Sequence, residues 1–220
     1  MRSKEIEDYK KQLKLTDEQR EVLVGILLGD AHLETNNDGK TYKLRVEHSI
    51  KQSEYLWHLY EIYTDWCLSP PKEKLKKIDE KEYLNLAFTT VSHPAFRFYG
   101  KQFYPQGPAP DGAGQGRKKV PNIIHKILTP KALAYWFMDD GSIKSKESKG
   151  LIFNTQGYEG PDVEKLIKIL QTKFNLDCKK RKQKEGFQIY ISGFSYEKFV
   201  ELTDSYIIES MKYKIPPPRK

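Results

Sequence analysis

Two aspartates lie in matching surroundings half a chain apart. Leu23-Val24-Gly25-Ile26-Leu27-Leu28-Gly29-Asp30-Ala31 and Leu133-Ala134-Tyr135-Trp136-Phe137-Met138-Asp139-Asp140-Gly141 are apolar stretches that each end in an acid and a small residue. Asp30 and Asp140 are 110 positions apart in a chain of 220 residues. Thr16-Asp17-Glu18-Gln19 has capping-box spacing, and Thr129-Pro130 sets an N-cap before a proline, so a helix is predicted to carry each stretch. Both acids then fall at a helix C-terminus, where the unpaired carbonyls disfavour a carboxylate by a few tenths to about 1 kcal/mol. A repeated pair of such acids calls for a positive partner. Mg²⁺ fits, because it takes carboxylate and carbonyl oxygens while keeping several waters. The alternative is that each aspartate only starts a turn. Gly25 and Gly29 leave one helix face bare, so the second stretch can pack closely and bring the two acids together. Adjacent carboxylates repel unless protonated or bridged by metal.

The elements that would position these acids repeat with them. After Asp30 come a turn-rich segment at 35–39 and an alternating strand at 41–49; after Asp140 come residues 144–150 and a strand at 151–155. A helical face follows in each half, Tyr55, Leu59, Ile62 and Trp66 in the first and Val163, Leu166, Ile167 and Leu170 in the second. Each half then carries a hairpin signal, 74–78 with 83–89 and 179–183 with 187–192. Cys67 and Cys178 fall within one residue of the same period. The reading is an α+β fold of two pseudo-symmetric α-β-β-α-β-β-α halves that meet through two central helices. The N-terminal half spans 1–104, a Gly/Pro-rich linker 105–118, and the C-terminal half 119–220.

Composition narrows the class. With 38% hydrophobic residues, 14 Tyr, 10 Phe and 3 Trp, the chain can fill a core. The apolar runs at 22–29 and 132–138 are far short of the roughly 20 residues of a membrane span. No targeting signal opens the sequence, which predicts an intracellular protein. Two cysteines make neither a disulfide scaffold nor a four-ligand zinc site. There are 38 Lys and Arg against 30 Asp and Glu, and all of the excess lies beyond residue 110. Such a basic surface suits a polyanion, nucleic acid first.

The two stretches resemble the signature motifs of the LAGLIDADG homing endonucleases of the two-motif, single-chain kind, and the similarity runs from about Thr16 to Pro216. That resemblance implies a monomer with an internal pseudo-twofold that binds double-stranded DNA, cuts both strands across the minor groove and leaves 3′ overhangs. It implies divalent metal, usually Mg²⁺ with Mn²⁺ or Ca²⁺ able to take the same sites, held by Asp30, Asp140 and the carbonyls of Gly29 and Asp139. By position, Glu47 and Asn154 would organise water, and Lys119 and Lys214 would polarise the scissile phosphates. Two alternatives go with the resemblance: an RNA maturase assisting group I intron splicing, and a DNA-binding protein that does not cut. An intron-encoded chain would act in an organelle such as a mitochondrion or chloroplast.

The eight strands would form two saddle-shaped antiparallel sheets, and a β-ribbon fits the major groove. Strands of about eight residues at 3.3 Å each would together follow roughly sixteen base pairs. The groove face would include Lys43, Arg45 and Glu47 in the first half, and Lys180, Lys182, Gln188 and Tyr190 in the second.

Overall fold

A computed structural model describes residues 3–78, 80–107, 116–145 and 148–215. Most of the expected linker, 108–115, and the end of the expected similarity, Pro216, lie outside the described residues. The first series of elements is α1 (Ser3–Gln12), α2 (Asp17–Leu28), β1 (His32–Glu34), β2 (Lys43–Ser49), α3 (Ser53–Ile62), β3 (Lys72–Ile78), β4 (Lys81–Thr89) and α4 (Arg97–Phe103). The second is α5 (Ile124–Ile127), α6 (Pro130–Asp140), β5 (Gly141–Ser145), β6 (Ser148–Phe153), α7 (Gly160–Phe174), β7 (Cys178–Gln183), β8 (Gly186–Ile191) and α8 (Tyr196–Thr203). The expected α-β-β-α-β-β-α order thus appears twice, with α1 and α5 added. The described strands form two antiparallel four-stranded sheets, ordered β1-β2-β4-β3 and β5-β6-β8-β7. No helix among the described residues is long and apolar enough to cross a membrane.

The chain's contacts divide it into two compact units, Met1–Arg20 with Asp30–Arg117, and Glu21–Gly29 with Lys118–Lys220. In the first unit the predicted capping box is formed in both directions. The Gln19 amide donates to Thr16 Oγ1 and the Thr16 amide to Gln19 Oε1, each at 3.1 Å. Buried Gln19 also fastens this helix start to the end of α3. It donates to the Ile62 carbonyl at 2.7 Å and accepts from Trp66 Nε1 at 3.2 Å, and the Tyr63 hydroxyl donates to its carbonyl at 2.6 Å. Along β2, Leu44, Val46 and His48 are buried, whereas Lys43, Arg45 and Glu47 face outward. This period of two packs the inner side on Tyr55, Leu56 and Leu59 of α3.

The second unit is built around α6, whose residues from Ala132 to Met138 are all buried. Thr129 caps it as expected, accepting from the Ala132 amide at 3.2 Å with Pro130 first in the helix. Trp136 stacks on Phe153 of β6 at 4.0 Å, and Phe137 and Phe199 of α8 complete the cluster. Residues 21–29 pack along α6 through the bare face that the two glycines provide. A Cβ on Gly25 would fall 2.4 Å from the Ala132 carbonyl oxygen and 2.7 Å from Tyr135 Cβ. One on Gly29 would fall 2.4 Å from Asp139 Cβ. Gly25 makes the room that the bulky Tyr135 requires.

Candidate active site and nucleic-acid interface

Within the second unit, Leu28, Gly29, Lys118, Asp140, Asn154, Gly157 and Tyr158 line a cavity of about 210 Å³. Asp140 closes α6, and its Oδ2 accepts from Trp136 Nε1, one helical turn earlier, at 3.2 Å. Its carbonyl accepts from the Asn154 amide nitrogen at 3.0 Å and from Asn154 Nδ2 at 2.9 Å. The carboxylate of the neighbouring Asp139 packs against Gly29.

The carbonyls that end the two motif segments attract cations. Lys118 Nζ donates to the Gly29 carbonyl at 2.7 Å, and the Tyr158 hydroxyl caps the preceding carbonyl, Leu28, at 2.9 Å. Lys214 Nζ donates to the carbonyls of Met138 and, at 2.9 Å, of Asp139. The partial negative charge at a helix C-terminus accounts for both lysines. The donor set here is hard oxygen, Asp140 carboxylate and Gly29 carbonyl beside the Asn154 amide, which fits a small divalent cation.

Lys119 is not among the residues that line this cavity; its ammonium pairs with Glu159 at 2.6 Å. Val120, next in the chain, is buried. The run of three adjacent cations offers no sequence signal for choosing Lys118 over Lys119. The segment is held to α7 by buried Asp162, which accepts from the Val120 amide at 3.2 Å, and by Lys165, which donates to the Val120 carbonyl and Asn122 Oδ1 at 3.0 Å.

In the first unit, Asp30 is half exposed and His48 Nδ1 stands 3.7 Å from its Oδ2. Glu47, one residue before His48, points to the opposite face of β2 and joins a charge network rather than Asp30's immediate neighbours. It accepts from Lys76 at 2.6 Å, Asn85 at 2.8 Å and Arg45 at 3.1 Å. Glu34 on β1 pairs with Lys43 at 3.0 Å and with Arg45 at 3.5 Å. Burial alone would raise the Glu47 pKa, but hydrogen bonds from Lys76, Asn85 and Arg45 and the Lys76 charge outweigh it and hold the carboxyl at about 2. A folded-state value below the unfolded one contributes stability that is complete above about pH 4.5 and lost as pH falls towards 2. Glu47→Gln is therefore expected to flatten the acid limb of a Tm-versus-pH curve between those values. An unchanged acid limb would contradict the network.

The second sheet requires a correction. The two-residue turn between Gln183 and Gly186 pairs an odd-numbered residue with an even-numbered one throughout, Arg181 with Gln188 and Lys179 with Tyr190. Lys180 and Lys182 therefore share the side of Ile189 and Phe187, and do not lie with Gln188 and Tyr190. Lys180 pairs with Glu164 of α7 and lies over the Phe187 ring. The outward residues of β7 are Lys179 and Arg181. Lys144 and Lys179 flank the Tyr190 ring, at 5.2 and 5.8 Å from its centroid. Burial pushes the Cys67 and Cys178 thiols up to about 12, so neither is primed as a nucleophile.

Repeated α/β halves, acids at the ends of paired apolar helices and sheets with cationic outer faces define a two-motif protein of the nucleic-acid-processing class. Residues 20–199 match the LAGLIDADG DNA endonuclease family, and the chain belongs to that family. It is 35% identical to probable intron-encoded endonuclease 1 of Wickerhamomyces canadensis, over 97% of this chain and 90% of that protein. It is 30% identical to DNA endonuclease I-ChuI of Chlamydomonas applanata, over 92% of this chain and 96% of that one. The solved structure of the homing endonuclease I-WcaI bound to its DNA recognition sequence matches with a TM-score of 0.87 at 33% identity, covering 98% of this chain and 93% of that one. Cytochrome b mRNA maturase bI2 of Saccharomyces cerevisiae is 32% identical over 88% of this chain and 46% of its own length.

Proposed function

We propose that the chain is a site-specific, double-strand DNA endonuclease of the intron-homing type. It acts as a monomer, reads a long asymmetric site through its sheets in the major groove and leaves 3′ overhangs. The observation that carries this reading is the cavity where Asp140, the Gly29 carbonyl and the Lys118 ammonium converge, at the end of a family motif. Asp30 and Asp140, with the carbonyls of Gly29 and Asp139, would hold divalent metal, Mg²⁺ first. Held by these oxygens, such a cation would supply an activated water and stabilisation of the leaving 3′ oxygen. Lys118 and Lys214 polarise the scissile phosphates from the ends of the two motif segments, and Asn154 orients the end of α6. Lys118 takes the role that position alone suggested for Lys119. Glu47 orders Arg45 and Lys76 on the DNA-facing side of the first sheet, and Lys43, Lys179, Arg181, Gln188 and Tyr190 add DNA contacts. The intron-encoded relative supports an organellar setting.

The test is Mg²⁺-dependent cleavage of a plasmid carrying the uninterrupted host-gene site. Lys118→Met is expected to slow single-turnover cleavage about a hundredfold, the scale of losing one group that stabilises developing charge. Lys119→Met should change it less than about threefold, as expected for a surface ion pair. The reverse order would reinstate Lys119. The maturase likeness supports a second reading, assistance to intron splicing, which a splicing assay without DNA cutting would favour.

A further inference from the structure

The outward face of the second sheet is joined by hydrogen bonds to the end of α6. Gln188 Nε2 donates to Asn154 Oδ1 at 2.7 Å, and Asn154 Nδ2 donates in turn to the Asp140 carbonyl at 2.9 Å. The Asn154 backbone amide donates to the same carbonyl at 3.0 Å, so Asn154 is anchored to it twice. These bonds settle which way both amides face: Asn154 accepts from the sheet and donates to the helix end. Gln188 stands opposite Arg181 on the face that carries Tyr190, while Ile189 and Ile191 on either side of Tyr190 are buried. Only one of its amide hydrogens goes to Asn154. The second hydrogen and Oε1 form the donor–acceptor pair that matches the N7 and N6 edge of adenine in the major groove. A glutamine seated on a base can thus hold Asn154 at the same time.

The first unit handles its corresponding polar residue differently. Glu47 lies within Arg45, Lys76 and Asn85, all on the outward side of the sheet, and spends its oxygens there. A direct line from base-reading side chain to motif acid is thus described in the second unit, through neutral amides of fixed polarity.

We propose that Gln188 is a positioning residue: the base pair beneath β8 sets Gln188, Gln188 sets Asn154, and Asn154 sets the Asp140 end of α6. Cleavage on the Asp140 side is thereby conditional on that base pair, and the two strands respond unequally to a mismatch there. The proposal rests on the endonuclease reading and adds to it a residue that converts recognition into rate as well as affinity.

The test uses the full-length protein and a target labelled separately on each strand, with single-turnover cleavage in Mg²⁺ and binding measured in Ca²⁺. Gln188→Ala is expected to weaken binding by the loss of one base contact, about tenfold, and, with all target bound at saturating protein, still to slow one strand about tenfold more than the other, so that nicked product accumulates. Asn154→Ala should slow the same strand, and the double variant should be no worse than the slower single one, because both interrupt one path. Equal slowing of both strands, a loss confined to binding, or additive effects of the two substitutions would overturn the coupling while leaving the endonuclease reading intact. A wild-type protein that cuts neither strand would overturn both.

Discussion

Asp30→Asn and Asp140→Asn should each remove strand cleavage, by at least about a thousandfold, while the protein still binds its site. Asparagine keeps the shape of the side chain and an oxygen that can accept from Trp136 Nε1, which now bonds Asp140 Oδ2 at 3.2 Å. The packing of α6 against Phe153 and Phe199 is therefore retained, and the fold should hold. What is lost is a negative charge at a helix end, where it would otherwise help to hold a divalent cation. Cleavage assays in Mg²⁺, with gel shifts in Ca²⁺ as the binding control, check this. If either variant cuts at the wild-type rate, that aspartate is not a metal ligand.

Gly25→Ala should be among the most destabilising single-methyl changes in the chain. The added Cβ would stand 2.4 Å from the Ala132 carbonyl oxygen, 2.7 Å from Tyr135 Cβ and 3.1 Å from the Trp136 amide nitrogen. Two of these neighbours are backbone atoms of α6, so relief requires the helix to shift rather than a side chain to rotate. Overpacking of this kind costs about 1–3 kcal/mol or more, whereas alanine's better helix propensity returns at most about 1. The net loss should lower Tm by several degrees. Gly157→Ala, with nothing within 4 Å, is the matched control and should leave Tm nearly unchanged. A Gly25→Ala protein that melts with wild type would mean that residues 21–29 do not rest on α6.

The sequence exposed the fold where a local rule had no rival. The Thr16–Gln19 box and the Thr129-Pro130 cap state their helices directly, and both are made. Leu44, Val46 and His48 alternate with charged residues, so the outward face of β2 followed from period alone. The site was harder. In Arg117-Lys118-Lys119 three cations run together, and only the contact of Lys118 with the distant Gly29 carbonyl distinguishes the middle one. On β7, Lys179-Lys180-Arg181-Lys182 has no apolar residue to reveal its phase, so the register had to come from the hairpin turn and the neighbouring strand. The links from Gln188 to Asn154 and from Trp136 to Asp140 lie between side chains whose meeting depends on strand pairing and helix pitch, and composition records neither.

The locked parity of the β7–β8 hairpin bears on any attempt to retarget this enzyme. A combinatorial library spread across the whole basic run would waste half its diversity on Lys180 and Lys182, which lie on the side of β7 that packs towards α7. Variation confined to Lys179, Arg181 and Tyr190 would sample the outward face and leave the Gln188–Asn154 link in place. A one-residue slip of β7 along β8, which β6 holds in place, would instead turn Lys180 and Lys182 outward and Lys179 and Arg181 towards α7.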